Sequence, residues 1–200
     1  MKTARFLLRK GLALSLSKGF TLVELLIVIA LIGVLAVAVL AAINPLEQLN
    51  RARDTGMESD ASQLLAAIDR YYATQEEFPW VSVNNAFTND SDLTLTNAQV
   101  EEIGICAGNC ATNGILLEQY ELKSEFRNRK FITATAQTDL LYLAKQDGAS
   151  SSVYACWVPT SKAKRANANM SVTNIWDNSC DGANVTYANL DSSCFFCIPR

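Results

Sequence analysis

The stretch "SKGFTLVELLIVIALIGVLAVAVLAAINP", Ser17 to Pro45, decides the fold. From Phe20 to Ile43 every side chain is apolar, small or hydroxylic except one, Glu24. Those 24 residues, at ~1.5 Å of rise each, are long enough as a helix to cross a hydrocarbon core of ~30 Å. A charge at the centre of a bilayer costs at least ~2.5 kcal/mol on insertion scales. Glu24 sits near the start of the run, where the cost is smaller, but a carboxylate in such a segment is a functional residue by default.

On the N-terminal side, Lys2, Arg5, Arg9, Lys10 and Lys18 precede Gly19 with no acid among them. Basic residues on this flank place the N-terminus in the cytoplasm and everything after the run outside. An ordinary secretory signal has an apolar core of only ~7–15 residues, which sets this run apart; an uncleaved signal anchor explains the basic flank and the run but not the join of "KGF" to "TLVE". After Gly19 there are 12 basic and 20 acidic residues, so the chain as a whole is no general binder of polyanions.

On the C-terminal side, Asn44-Pro45 interrupts the run, since proline lacks a helical N–H and disfavours helix at the residue before it. Helical spacing then resumes, with Leu46, Leu49, Met57, Ala61, Leu64, Leu65, Ile68 and Tyr72 on one stripe and Gln48, Arg51, Asp54, Glu58, Asp69 and Arg70 opposite. The spacing predicts one long helix over 20–75, with 20–43 spanning the membrane, a bend at Pro45, and an end at Phe78-Pro79-Trp80. The segment 82–97 reads as loop, and 116–126 as a short helix. "DLLYLAKQDGASSSVYACWVP" reads as a β-hairpin around a Gly-containing turn, with further short strands at 171–176, 185–190 and 194–198. The expected fold class is α+β, a long N-terminal helix on a small antiparallel β-rich head spanning 76–200.

Composition removes several functions. With no histidine in the chain, Ser-His-Asp and Cys-His catalysis and every His-ligated metal site are excluded. The six cysteines, Cys106, Cys110, Cys156, Cys180, Cys194 and Cys197, all follow the apolar run. Outside the cytoplasm an even number reads as disulfides, in preference to a four-thiolate zinc site. Proximity pairs Cys106 with Cys110, and the other four allow three connectivities. Lys162, Lys164 and Arg165 form a basic cluster, read as a solvated loop, with a nucleic-acid contact as the alternative.

Lys18-Gly19-Phe20-Thr21-Leu22-Val23-Glu24 followed by the apolar run resembles the type IV prepilin family and its relatives, the pseudopilins of type II secretion. The resemblance implies the pilin fold and a leader, residues 1–19, removed by cleavage after Gly19. It also implies N-methylation of the new terminus, Phe20, and pairing of Glu24 with the terminus of a neighbouring subunit in a filament. Glu24 and Pro45 are then assembly residues. The implied partners are the prepilin peptidase, further copies of the chain, minor pilins, the inner-membrane assembly platform, and lipid before assembly. No cofactor and no catalysis are expected. The location would be the membrane, head outward, and then an extracellular pilus serving adhesion, motility or DNA uptake. Rival functions are a pseudopilin, told apart by the absence of long fibres, a minor pilin acting as a tip adhesin or DNA receptor, told apart by low copy number, and an anchored enzyme, against which the missing histidine counts.

Overall fold

The computed structural model describes residues 19–83, 87–98, 103–107, 110–168, 170–171, 176, 179–182, 185, 187, 190 and 193–199. The leader expected at 1–19 lies outside them except for Gly19. Two units are distinguished, Met1–Asn44 and Pro45–Arg200.

The described part of the first unit is one helix, α1, Leu22–Ala42, with every described side chain exposed. Its span Leu22–Ala41 is long and apolar enough to cross a membrane. Apolar residues occur all round it, so it has no polar face with which to lie on a soluble core. Ile43, the C-cap, is extended, with φ −96° and ψ 123°.

The second unit opens with α2, Pro45–Gln75. Pro45 is its first residue, where a missing N–H costs nothing because that donor has no intrahelical partner anyway. The long helix predicted over 20–75 is therefore two helices interrupted at 43–44. The buried positions of α2 are Asp54, Met57, Asp60, Ala61, Leu64, Ala67, Ile68 and Tyr71, spaced by three and four as a core-facing stripe requires. This corrects the expected stripe at its N-terminal end. Leu46 and Leu49 are 66% and 67% exposed, whereas Asp54, placed on the polar face by its charge, is 1% exposed.

The short helix α3, Pro79–Val83, follows, then β1, Leu93–Asn97, so part of the predicted loop 82–97 is helix and part strand. A two-stranded ribbon pairs β2, Cys106–Ala107, with β3, Thr112–Asn113. In place of one helix at 116–126 there are a four-residue turn of helix, α4, Ile115–Glu118, and a 3₁₀ turn at Ser124–Asn128. After α5, Lys130–Thr133, come the hairpin strands β4, Leu141–Lys145, and β5, Val153–Trp157, as the alternation predicts. The chain closes with α6, Lys162–Arg165, β6, Met170–Ser171, and β7, Cys194–Ile198. Of the strands expected at 171–176 and 185–190, residues 172–175, 186 and 188–189 lie outside the described residues; Trp176, Val185, Tyr187 and Leu190 are not in strands.

The main sheet is antiparallel throughout, in the order β1-β4-β5-β7-β6. Alternation sorts its side chains onto two faces. Leu141, Leu143, Val153, Ala155, Trp157, Cys194 and Phe196 join the cluster that holds the buried face of α2. Tyr142, Cys156, Phe195 and Cys197 form a second cluster with Leu140 and Val158. A sheet with both faces covered reads as near-continuous apolar runs, which is why "LLYLA" and "CFFCI" carry so little polarity.

Asp60 is the second acid on the buried stripe, with its Oδ1 3.3 Å from the guanidinium of Arg129. Burial pushes its carboxyl above the ordinary range, and Arg129 only partly opposes this. A raised folded-state pKa means that the folded head binds the proton more tightly than the unfolded chain. Ionised Asp60 thus costs stability above that pKa, and the cost disappears below the unfolded value of ~3.9. Asp60→Asn should equal or exceed the parent in melting temperature at pH 7, with the difference closing on acidification to about pH 3. A variant markedly less stable at pH 7 would show that the pair with Arg129 outweighs desolvation.

Candidate functional site

The residues singled out in the sequence fall into two groups, one at the entry to α1 and one in the head. At the entry, Thr21 is the N-cap of α1, in extended conformation (φ −77°, ψ 149°), and Glu24 is the third helical residue. The two form a capping box. The Glu24 N–H donates to Thr21 Oγ1 at 3.2 Å, the Thr21 N–H donates to Glu24 Oε2 at 2.9 Å, and the Thr21 hydroxyl donates to the same Oε2 at 2.8 Å. Two N–H groups left without intrahelical acceptors at a helix start are thereby satisfied, and the acid lies at the positive end of the helix dipole. The compensation of Glu24 is therefore local in the isolated chain. Thr21 is absent from the residues assigned by sequence; its signal is the Thr-x-x-Glu spacing just ahead of an apolar run.

Gly19 and Phe20 precede the cap and are exposed. A Cβ built on Gly19 meets no atom of the described residues within 4 Å. Nothing in the packing of the described residues calls for glycine there.

In the head the cysteines lie in three bonds: Cys106–Cys110, Cys156–Cys197 and Cys180–Cys194. Among the three connectivities left open by the sequence, register explains the choice. Cys156 and Cys197 face each other across β5 and β7 on one face of the sheet, whereas Cys194, three residues from Cys197, points to the other face. With no unpaired cysteine, alkylation without reductant should add no mass to the intact protein; two or more labelled thiols would contradict these pairings.

The basic cluster is largely spent inside the head. Lys164 Nζ is 2.8 Å from Glu58 Oε2 and lies over the Phe196 ring at 4.1 Å. Arg165 donates from Nε to the Pro159 carbonyl at 3.0 Å and lies over the ring of Tyr187 at 4.1 Å. Burial around that ring pushes the Tyr187 hydroxyl up to about 12, against the pull of Arg165. Lys162 remains exposed. Cations used in this way bind the 160–165 segment to the head and offer little to phosphate.

Comparison with known proteins bears on the N-terminal group. Residues 14–40 match the family model of the prokaryotic N-terminal methylation motif. A fimbrial protein of Neisseria meningitidis serogroup A / serotype 4A (strain DSM 15465 / Z2491) is 24% identical over 182 residues, which cover 90% of this chain and 95% of that relative. No solved structure matches.

Proposed function

As a chain of the type IV prepilin family, this protein, we propose, is a structural subunit of a pilus, polymerised through α1 and without catalysis of its own. In this scheme the prepilin peptidase cuts after Gly19 and Phe20 becomes an N-methylated terminus. The subunit waits as a single-pass membrane protein, head outward. It is then drawn by the assembly platform into a filament, together with minor pilins and its own copies, and the pilus serves adhesion, motility or DNA uptake.

The observation that carries the proposal is an exposed helix that is apolar throughout except for one carboxylate, held in a capping box at its entry. The helix must be covered by lipid or by other helices, because its described side chains touch too little of their own chain to be buried. In the membrane the box lowers the cost of Glu24. In the filament the ammonium of a neighbour's Phe20 would add an opposite charge in low dielectric, offsetting a desolvation that neither group carries well alone. The Thr21 donors both fall on Oε2, so the ammonium can approach from the Oε1 side without dismantling the cap.

Electron microscopy of fibres sheared from cells, with mass spectrometry of their main subunit, tests this. The expected result is long fibres whose main subunit starts at N-methylated Phe20. A main subunit other than this chain, or one that retains residues 1–19, would overturn it; absence of long fibres would indicate a pseudopilin.

A further inference from the structure

Lys145 is the last residue of β4, and by alternation it shares the sheet face of Leu141 and Leu143, toward the core that holds α2. Its relative exposure is 0%. Lysine is almost never fully buried unless paired, and no carboxylate lies within salt-bridge distance of this one among the described residues. Main-chain carbonyls surround its Nζ instead: Gly148 O at 2.7 Å, Asn89 O at 2.8 Å, Gln146 O at 3.0 Å and Ser91 O at 3.3 Å. The Phe78 ring closes a further side, its centroid 5.3 Å from Nζ. Four acceptors suit the three N–H donors of an ammonium better than the two of a neutral amine. Burial pushes the Lys145 pKa down, and the nearby Asp90, Asp147 and Asp92 oppose this by favouring the charge.

The cage is built from two loops that hold each other. The Gly148 N–H donates to Asp90 O at 2.9 Å, and the Ala149 N–H donates to Asp90 Oδ1 at 2.8 Å. Asn89 is tied in turn to the end of α2, accepting from the Phe78 N–H at 3.0 Å and donating to Glu76 O at 2.8 Å. Gly148 has φ +99°, a conformation open to glycine and strained for other residues, and its carbonyl makes the shortest of the four contacts. Inward-facing carbonyl oxygens repel one another unless a cation lies between them, the same arrangement that strips and holds ions in selective pores.

We propose that Lys145 is a tethered cation: its ammonium fills a carbonyl-lined site that otherwise takes a free ammonium-sized cation, and the order of the 89–92 and 146–149 loops depends on that site being filled. A free ion at such a junction is lost to dilution once the head is outside the cell. A lysine cannot be lost.

Removing the tether makes the demand visible. Lys145→Ala deletes a propylammonium's worth of side chain. The full chain carrying it should melt well below the parent in tetramethylammonium chloride, whose cation has no N–H donor. It should recover by about 3–6 °C in n-propylammonium chloride or potassium chloride of equal ionic strength, at tenfold excess over the dissociation constant. Lys145→Met, which keeps most of the stem and no charge, should melt low in all three salts, and the parent should be indifferent to them. Equal melting of Lys145→Ala in all three salts would overturn the proposal, as would the same recovery in the parent. Should Lys145→Ala fail to fold, acetylation of the parent decides. Lys145 should react roughly 100-fold more slowly than exposed Lys123 or Lys162, because labelling then requires the cage to open; reaction at a comparable rate would mean that there is no closed cage.

Discussion

Replacing Asp54 by alanine should lower the melting temperature of the full chain in detergent by roughly 4–24 °C, from about 1–3 kcal/mol for each of two main-chain N–H groups left unpaired, at about 2–4 °C per kcal/mol for a head of this size. Asp54 is held on the buried stripe of α2, and its carboxylate accepts from the 160–161 segment through both oxygens. The Thr160 N–H lies 3.0 Å from Oδ1 and 3.1 Å from Oδ2, and the Thr160 hydroxyl 2.9 Å from Oδ1. The Ser161 N–H and hydroxyl reach Oδ2 at 2.8 and 2.6 Å. Hydrogen bonds to an ionised acceptor are roughly twice as strong as neutral ones. Alanine would also leave two main-chain N–H groups facing a void, so that the desolvation penalty remains with no compensating bond. Ser161 is moreover the cap of α6, accepting from the Lys164 N–H, so that loss of Asp54 loosens the next element too. Lys164→Ala offers the contrast. It breaks a partly exposed pair with Glu58, worth no more than about 1 kcal/mol, although lost contact with the Phe196 ring adds to this. If Asp54→Ala melted within about 2 °C of the parent, the cluster would be an incidental contact and not the bond that fastens the 160–165 segment to α2.

Asp54 also marks the limit of what the sequence discloses. Its charge puts it on the solvent side of any helical wheel, and its partners lie 106 and 107 residues away in the chain, beyond any local pattern. Lys145 is hidden in the same way, since at the end of a strand and beside "QDG" a lysine looks like the wet end of a hairpin. Strand β1 is hidden for another reason: it pairs only with β4 at the edge of the sheet, with a shift in register between Leu93 and Thr96, and buries few side chains. The legible elements were those whose local pattern coincides with their burial. The hairpin β4–β5 is one, with its alternating faces. The other is α1, where the apolar run, the break at Asn44-Pro45 and the motif around Gly19 all act within a few residues of one another. The capping box was legible as well, in the spacing Thr21-x-x-Glu24 just ahead of the apolar run.

The largest functional effects are expected at that entry, where four substitutions separate processing, capping and pairing. Gly19→Leu should leave the full-length precursor in the membrane and abolish fibres. Glycine at this position is unconstrained by the other described residues, so a defect there is expected to report on access of the peptidase to the backbone. Glu24→Val spares the cleavage site, and N-terminal sequencing should still find Phe20 first, while fibres form poorly. The valine variant alone is ambiguous, because it removes both a cap worth ~1 kcal/mol and an ion pair whose loss, if buried, costs about 3–5 kcal/mol. Glu24→Gln resolves the ambiguity. Glutamine serves as well as glutamate at the third position of a capping box, so its side-chain carbonyl can keep both Thr21 bonds while the charge is gone. The larger energy belongs to the pair, and Glu24→Gln should therefore assemble nearly as poorly as Glu24→Val. Thr21→Val, which removes the hydroxyl and keeps the acid, should be cut normally and lose only a minor part of its fibre yield. Normal fibres from Glu24→Gln together with few from Glu24→Val would reverse the assignment: Glu24 would then act as the cap of its own helix, and the neighbour's ammonium would have to find another partner.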